Sequence, residues 1–185
     1  RHGLPRDAFI VGSFARRGKG QRMLLETDSL LAGHRERLHY FFAGEFIPER
    51  IGPFVAERPA LEGRVTLKDL VPYEEVPELL SAMNAVVMLP KREPFSNSVI
   101  EAMAMAKPVI LSRTLGNIEA VEDGRSGMLI DRGDRKALAA ALRRLLENPK
   151  EAEEMGRAAS ARVRTRFTEA VMMDGMEALW RKLAG

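Results

Sequence analysis

Glu93–Pro108, EPFSNSVIEAMAMAKP, is the stretch on which the reading of this chain turns. It holds two carboxylates eight positions apart, Glu93 and Glu101. Between them a proline, an aromatic ring and a run of small polar residues read as a helix start. Ser98 with Glu101 fits the S-x-x-E capping box, and Ser96 or Asn97 would also serve as an N-cap. Val99, Ala102, Met103 and Ala106 then recur at helical spacing, and Lys107-Pro108 ends the helix. The pattern puts Glu93 on the loop before a helix and Glu101 about one turn inside it. The free amides of such a start attract phosphate or carboxylate. Two hydroxyl-seeking carboxylates around an anion site suit a ligand carrying both sugar and phosphate. On the residues alone two other readings stay open: a general acid and base pair, or a capping Glu101 beside an ordinary exposed Glu93.

Outward from this stretch, short apolar runs alternate with helical periods. Ala8–Phe14, Leu38–Gly44, Arg64–Leu67, Asn84–Leu89, Val109–Ser112 and Gly127–Ile130 read as six strands. Helices are expected over Gln21–Ala32, Tyr73–Met83, Asn117–Val121, Arg135–Glu147 behind Asp134, Glu151–Arg166 and Thr168–Leu183. Glu45–Glu62 carries Pro48, Pro53 and Pro59, which predicts at most a helix interrupted by turns. The stripe Met172, Met176, Leu179 and Leu183, with Trp180 beside it, is expected in the core. Short buried strands alternating with helices give an α/β fold: a Rossmann-like doubly wound parallel sheet of about six strands, with helices on both faces. Such sheets bind ligands outside the carboxyl ends of their strands. The loops after the first and fourth strands lie at those ends. At a topological switch point they would face one crevice.

The 185 residues make a single domain able to bury a core. The balance of 29 basic and 26 acidic residues leaves a net charge of only +3, without a basic stripe interleaved with aromatics. Nucleic acid is therefore not an expected partner. The absence of cysteine excludes disulfides and thiolate-held metals. No apolar run reaches the ~20 residues of a membrane span, so no transmembrane segment is expected. No signal peptide is evident, and a cytoplasmic location is the default.

The loop after the first strand, Gly12–Gly20, reads GSFARRGKG. A phosphate-binding loop of the G-x-x-x-x-G-K-[ST] type needs four residues between its glycines and a hydroxyl after the lysine. Here five residues separate Gly12 from Gly18, and Gly20 follows Lys19, which argues against ATPase chemistry. The G-x-G-x-x-G dinucleotide pattern is absent too. What remains is a strand end followed by Arg16, Arg17, Lys19 and two glycines. A diphosphate fits there, at about 1.5–3 kcal/mol per charge-assisted hydrogen bond. A plain solvated loop is the alternative. His2, His34 and His39 lack any ligand-like pattern and are read as surface or packing residues. The acidic run Glu151, Glu153 and Glu154 is read as a solvated face.

These residues carry a family resemblance. EPFSNSVIEAMAMAKPVI resembles the E-x7-E signature of the retaining GT-B glycosyltransferases, group 1 and family 4-like. Three further segments are similar to that family's, in its order: ARRGKG, RVTLKDLVPYEEVPELLSAMNAVVMLP and GNIEAVEDGRSGMLIDRGD. The departures are an Arg-to-Lys loop about two residues short, Ala106 and Leu115 for glycines, and Asn84 for an aspartate. Arg17 could substitute for Arg16, and Asn84 is read as structural. The resemblance implies the C-terminal, donor-binding half of a two-domain enzyme that transfers a hexose-type sugar, with retention, from a nucleotide diphosphate sugar. UDP is the expected nucleotide. It implies that Arg16 and Lys19 hold the diphosphate and that Glu93 contacts the transferred sugar. Glu101 would bind the ribose hydroxyls. Backbone at Phe95, Ser96 and Asn97 would meet sugar and phosphate, and Leu70 and Val71 would frame the base. Neither a metal nor another cofactor is expected. The acceptor, a glycan or a lipid, would come through a missing N-terminal domain, through which the protein could sit peripherally on a membrane. The terminal helix within 168–185 would contact that domain. Two alternatives keep the fold: a noncatalytic binding subunit that pairs with a separate acceptor domain, and a nucleotide-sugar epimerase fragment.

Overall fold

A computed structural model describes residues 3–15 and 18–184. Six strands form one sheet: β1 (Phe9–Phe14), β2 (Leu38–Ala43), β3 (Val65–Lys68), β4 (Ala85–Met88), β5 (Val109–Ser112) and β6 (Met128–Ile130). Their order is β3-β2-β1-β4-β5-β6 and every pairing is parallel. The chain runs outward from β1 to β3, crosses back, and runs outward again from β4 to β6. It reverses between β1 and β4, where Val11 pairs with Ala85 and Gly12 with Val86. Connections leave that point in opposite directions, so the loops after β1 and β4 part and open a crevice. This is the doubly wound Rossmann-like sheet expected.

Helices cover both faces, which is why β2, β4 and β5 are buried along their whole length. Alternate residues of a strand serve opposite faces. Tyr40 and Phe42 meet Leu24 of α1 (Gln21–Thr27), Ile47, Ile51 and Phe54 of α2 (Ile47–Ala56), and Leu138 and Leu142 of α6 (Arg135–Glu147). Phe41, with Ile10, Val86 and Leu111, faces α3 (Val76–Ala82), α4 (Asn97–Ala104) and α7 (Pro149–Arg166) through Leu79, Leu80, Val99, Met103, Ala159 and Val163. A short α5 (Leu115–Ala120) follows β5, and α8 (Glu169–Ala184) follows α7. Asn84 is structural, since its side-chain oxygen accepts from the Ile10 amide at 2.7 Å. Asp134 caps α6 by accepting from the Ala137 amide at 2.8 Å.

Four expectations are corrected. The helix from Gln21 gives way at Asp28 to 3₁₀ turns, Asp28–Arg37, because Asp28 turns inward to an ion cluster. Its carboxylate takes the Arg64 guanidinium by two bonds of 2.9 Å, Arg35 at 3.0 Å and the Tyr40 hydroxyl at 3.0 Å. Second, α2 runs through Pro53 without a turn. An interior proline costs about 3 kcal/mol. Burying Ile47, Ile51 and Phe54 returns about 1.5–3 kcal/mol each and decides the balance. Third, the Ser98–Glu101 capping box does not form: Ser96 is the N-cap, so Glu101 falls in the second turn. Fourth, the α8 stripe is not core. No α8 residue is buried, and Met172, Met176, Leu179, Trp180 and Leu183 are 40–74% exposed. Periodicity reports an apolar face and not what lies against it.

His34 pairs with Glu147 at 3.0 Å at the surface. His39 meets the Thr66 hydroxyl at 2.8 Å, and burial, with the Arg64 charge, pushes its pKa down. His2 and Arg17 lie outside the described residues.

Candidate functional site

The crevice between the loops after β1 and β4 is built largely by backbone. The Lys19 carbonyl accepts from the Leu89 amide at 2.8 Å, and the Lys19 amide donates to Gln21 Oε1 at 3.1 Å. Gly20 sits at φ +88°, and a Cβ there would stand 2.4 Å from the Leu89 Cβ, so only glycine lets the loop lie on the strand end. Across the gap, Ser112 Oγ donates to the Pro90 carbonyl at 2.7 Å. Asn117 Nδ2 in turn holds the Ser112 carbonyl at 2.8 Å. The Gly116 amide donates to the Glu93 carbonyl at 3.2 Å, and a Cβ on Gly116 would meet the Pro94 oxygen at 2.0 Å. Both rims of the crevice are thus pinned close to the sheet.

This scaffold brings Lys19 and Glu93, 74 residues apart, into an ion pair. The Glu93 carboxylate is almost buried, with 8% of its side chain exposed, while Lys19 keeps 25%. Glu101 stands on α4, half-buried. Burial raises its carboxyl above the ordinary range, and it has no ion-pair or side-chain hydrogen-bond partner among the described residues. With the capping box absent, nothing in the described structure occupies this carboxylate. The first turn of α4 is open as well. Ser96 makes no side-chain cap, and the Asn97 and Ser98 amides have no acceptor within the helix.

Phe95 sits before this helix start with its ring against Phe167 at 5.4 Å, which ties the loop to the end of α7. Leu70 and Val71 lie on the loop after β3, at the same edge of the sheet. At about 4.8 Å per strand the end of β3 stands roughly 10 Å from the end of β1. Leu70 is exposed, and Val71 packs partly buried against the core cluster that holds Phe14 and Phe41. Arg16 lies outside the described residues. A cleft of about 300 Å³ opens between Gly18, Gly20, Pro90 and Arg132. Sequence reasoning did not single out Gly116, Ser112 or Gln21. Their part is to hold backbone, and the signal available for Gly116 was its place in the GNIE segment.

Fold and crevice together define a doubly wound, Rossmann-like α/β domain with charged groups at the switch point. The family model described as "Glycosyl transferases group 1" matches residues 5–148. The chain belongs to this family. It is 25% identical over 97% of its length to the capsular polysaccharide biosynthesis glycosyltransferase CapM of Staphylococcus aureus. It is 30% identical over 92% of its length to the lipopolysaccharide core biosynthesis glycosyltransferase LpsD of Rhizobium meliloti. It covers 47% and 48% of these proteins, so the chain spans about half the length of the curated relatives it matches. Among solved structures, Anabaena HepE in complex with UDP and glucose superposes with a TM-score of 0.82 at 26% identity, over 95% of this chain and 49% of that one. The fold is thus one half of the GT-B architecture.

Proposed function

We propose that this chain is the donor-binding half of a glycosyltransferase, taking a nucleotide diphosphate sugar, UDP-linked, whose hexose passes to an acceptor with retention. The observation that carries the reading is the half-buried Glu101, its carboxylate without a partner among the described residues, on the helix that follows the Glu93 loop, together with the Lys19–Glu93 pair at the switch point. A carboxylate kept from water without a partner is costly unless a ligand's hydroxyls supply hydrogen bonds. UDP in the HepE complex and the E-x7-E resemblance support the choice of ligand.

In this reading the donor lies along the carboxyl edge of the sheet. The base rests over Leu70 and Val71, the ribose hydroxyls donate to Glu101, and the diphosphate meets Lys19, Arg16 and the open first turn of α4. The sugar reaches Glu93 and the backbone at Phe95, Ser96 and Asn97. Transfer breaks the bond between the sugar's anomeric carbon and the diphosphate oxygen, and the electron pair leaves with the nucleotide. Cations and helix-start amides fixed at that oxygen stabilise the growing charge. We assign that work to protein groups in place of a metal ion. Lys19 must exchange Glu93 for phosphate as the donor enters, which leaves Glu93 free to accept from the sugar. Most of the acceptor site, for a glycan or a lipid, belongs to a further domain. The exposed apolar face of α8 supports the reading that 168–185 contacts it. No helix among the described residues is long and apolar enough to cross a membrane.

Calorimetric titration with UDP tests the reading. Saturable binding below about 1 mM is expected, and no heat at that concentration would overturn it.

A further inference from the structure

A second concavity, about 590 Å³, opens on the other flank of the Glu93 loop, toward β5 and β6. Lys91, Arg92, Thr114, Leu115 and Arg132 line it together with Glu93. Among the described residues, Lys91, Arg92 and Arg132 make no ion pair. Arg113, also on the wall, is already held by Asp123 at 2.9 Å and Asp131 at 3.2 Å. The carboxylate of Glu93 is engaged by Lys19. Thr114 is 9% exposed, and its buried hydroxyl has no hydrogen-bond partner among the described residues. Three unneutralised cations around one hollow raise its potential and favour an anion. Guanidinium forks match phosphate oxygens in pairs, and the stacked positive charge suits a dianion better than a single carboxylate. Neither Lys19 nor any residue of α4 lines this wall, so the groups assigned to the donor diphosphate lie outside it, while Lys91 and Arg132 border both this hollow and the cleft beside Gly18 and Gly20.

We infer that this hollow binds a phosphate group of the acceptor, beside the sugar that Glu93 holds. The inference rests on the donor reading above. Leu115 and Ile118, 86% and 47% exposed, form an apolar rim. A water-soluble sugar phosphate would use the cations alone, whereas a lipid-borne phosphate would use the rim as well.

The test loads the full chain with UDP and then offers two probes: glucose 6-phosphate by calorimetry, and phosphatidylcholine vesicles with or without phosphatidic acid by sedimentation. The variant carries Lys91→Ser, Arg92→Ser and Arg132→Ser. A control of equal charge carries Lys150→Ser, Arg164→Ser and Lys182→Ser. At least one phosphate probe should bind the parent and the control alike, and the first variant at least about tenfold more weakly. Which probe responds distinguishes the soluble from the lipid source. Binding of UDP with no phosphate probe bound, or with the variant and control weakened equally, overturns the inference. Failure to bind UDP overturns the donor reading instead, and this inference with it.

Discussion

Two glutamates at the crevice have different attachments, and so different predicted phenotypes. Glu101 has no described partner, so its removal costs the fold little and the ligand much. Losing charge-assisted hydrogen bonds to ribose should weaken UDP about 10–100-fold in Glu101→Ala. Glu93 is tied to Lys19. Glu93→Ala frees that ammonium for the diphosphate, so UDP should bind at least as well as to the parent, while any preference for UDP-glucose over UDP disappears. Calorimetry on both variants decides, and parental behaviour in both would refute the site assignment. Ala106 makes a third residue-scale case. The Lys107 amide bonds the Ala102 carbonyl at 3.0 Å and the Ala106 amide bonds Met103 at 2.9 Å, which is a Schellman ending with Ala106 left-handed at φ 56°. An L-residue there costs about 1–2 kcal/mol, and glycine gives back roughly half of that through unfolded-chain entropy. Ala106→Gly should therefore stabilise by about 1 kcal/mol and raise the melting temperature by about 2–4 °C. A lower melting temperature would contradict the account.

At the scale of elements, the Asp28 cluster holds the 3₁₀ segment to β2 and to the start of β3, away from the crevice. A buried ion pair adds little over an apolar replacement, but deleting one partner strands the other. The Arg64 and Arg35 side chains keep 17% and 33% exposure, so water recovers part of the loss. Asp28→Ala should cost about 3 kcal/mol in urea unfolding and leave UDP affinity unchanged. A loss below ~1 kcal/mol would mean that the arginines rehydrate freely. The same elements show what a sequence can carry. Strands β2, β4 and β5 were readable because burial on both faces makes them nearly continuous apolar runs. The course of α2 through Pro53 was not, because the packing that outweighs the proline lies on other elements. Lys19, Glu93 and Glu101 were visible as charges at strand and helix ends, since their chemistry is in their side chains. Gly116 and Ser112 were not, because they act on backbone carbonyls brought near only by the fold.

At the scale of the whole molecule, α8 stands apart. Its 16 residues include none that is buried, whereas α7 before it buries Ala152, Met155, Ala159 and Val163. The first turn is held by the Thr168 hydroxyl, which accepts from the Val171 amide at 3.3 Å. A helix of that length is marginal in water on its own. The contact that bears on the crevice, Phe167 on Phe95, precedes it. A chain stopped after Thr168 should therefore melt within about 2 °C of the parent, since less than ~1 kcal/mol of packing is removed. It should also bind UDP with the same affinity. It should be less prone to self-association in sedimentation equilibrium, because the exposed stripe of Met172, Met176, Leu179 and Leu183 is gone. A drop of more than about 5 °C would show instead that α8 packs on the sheet domain and shares its core. Loss of UDP binding at an unchanged melting temperature would place part of the donor site on α8.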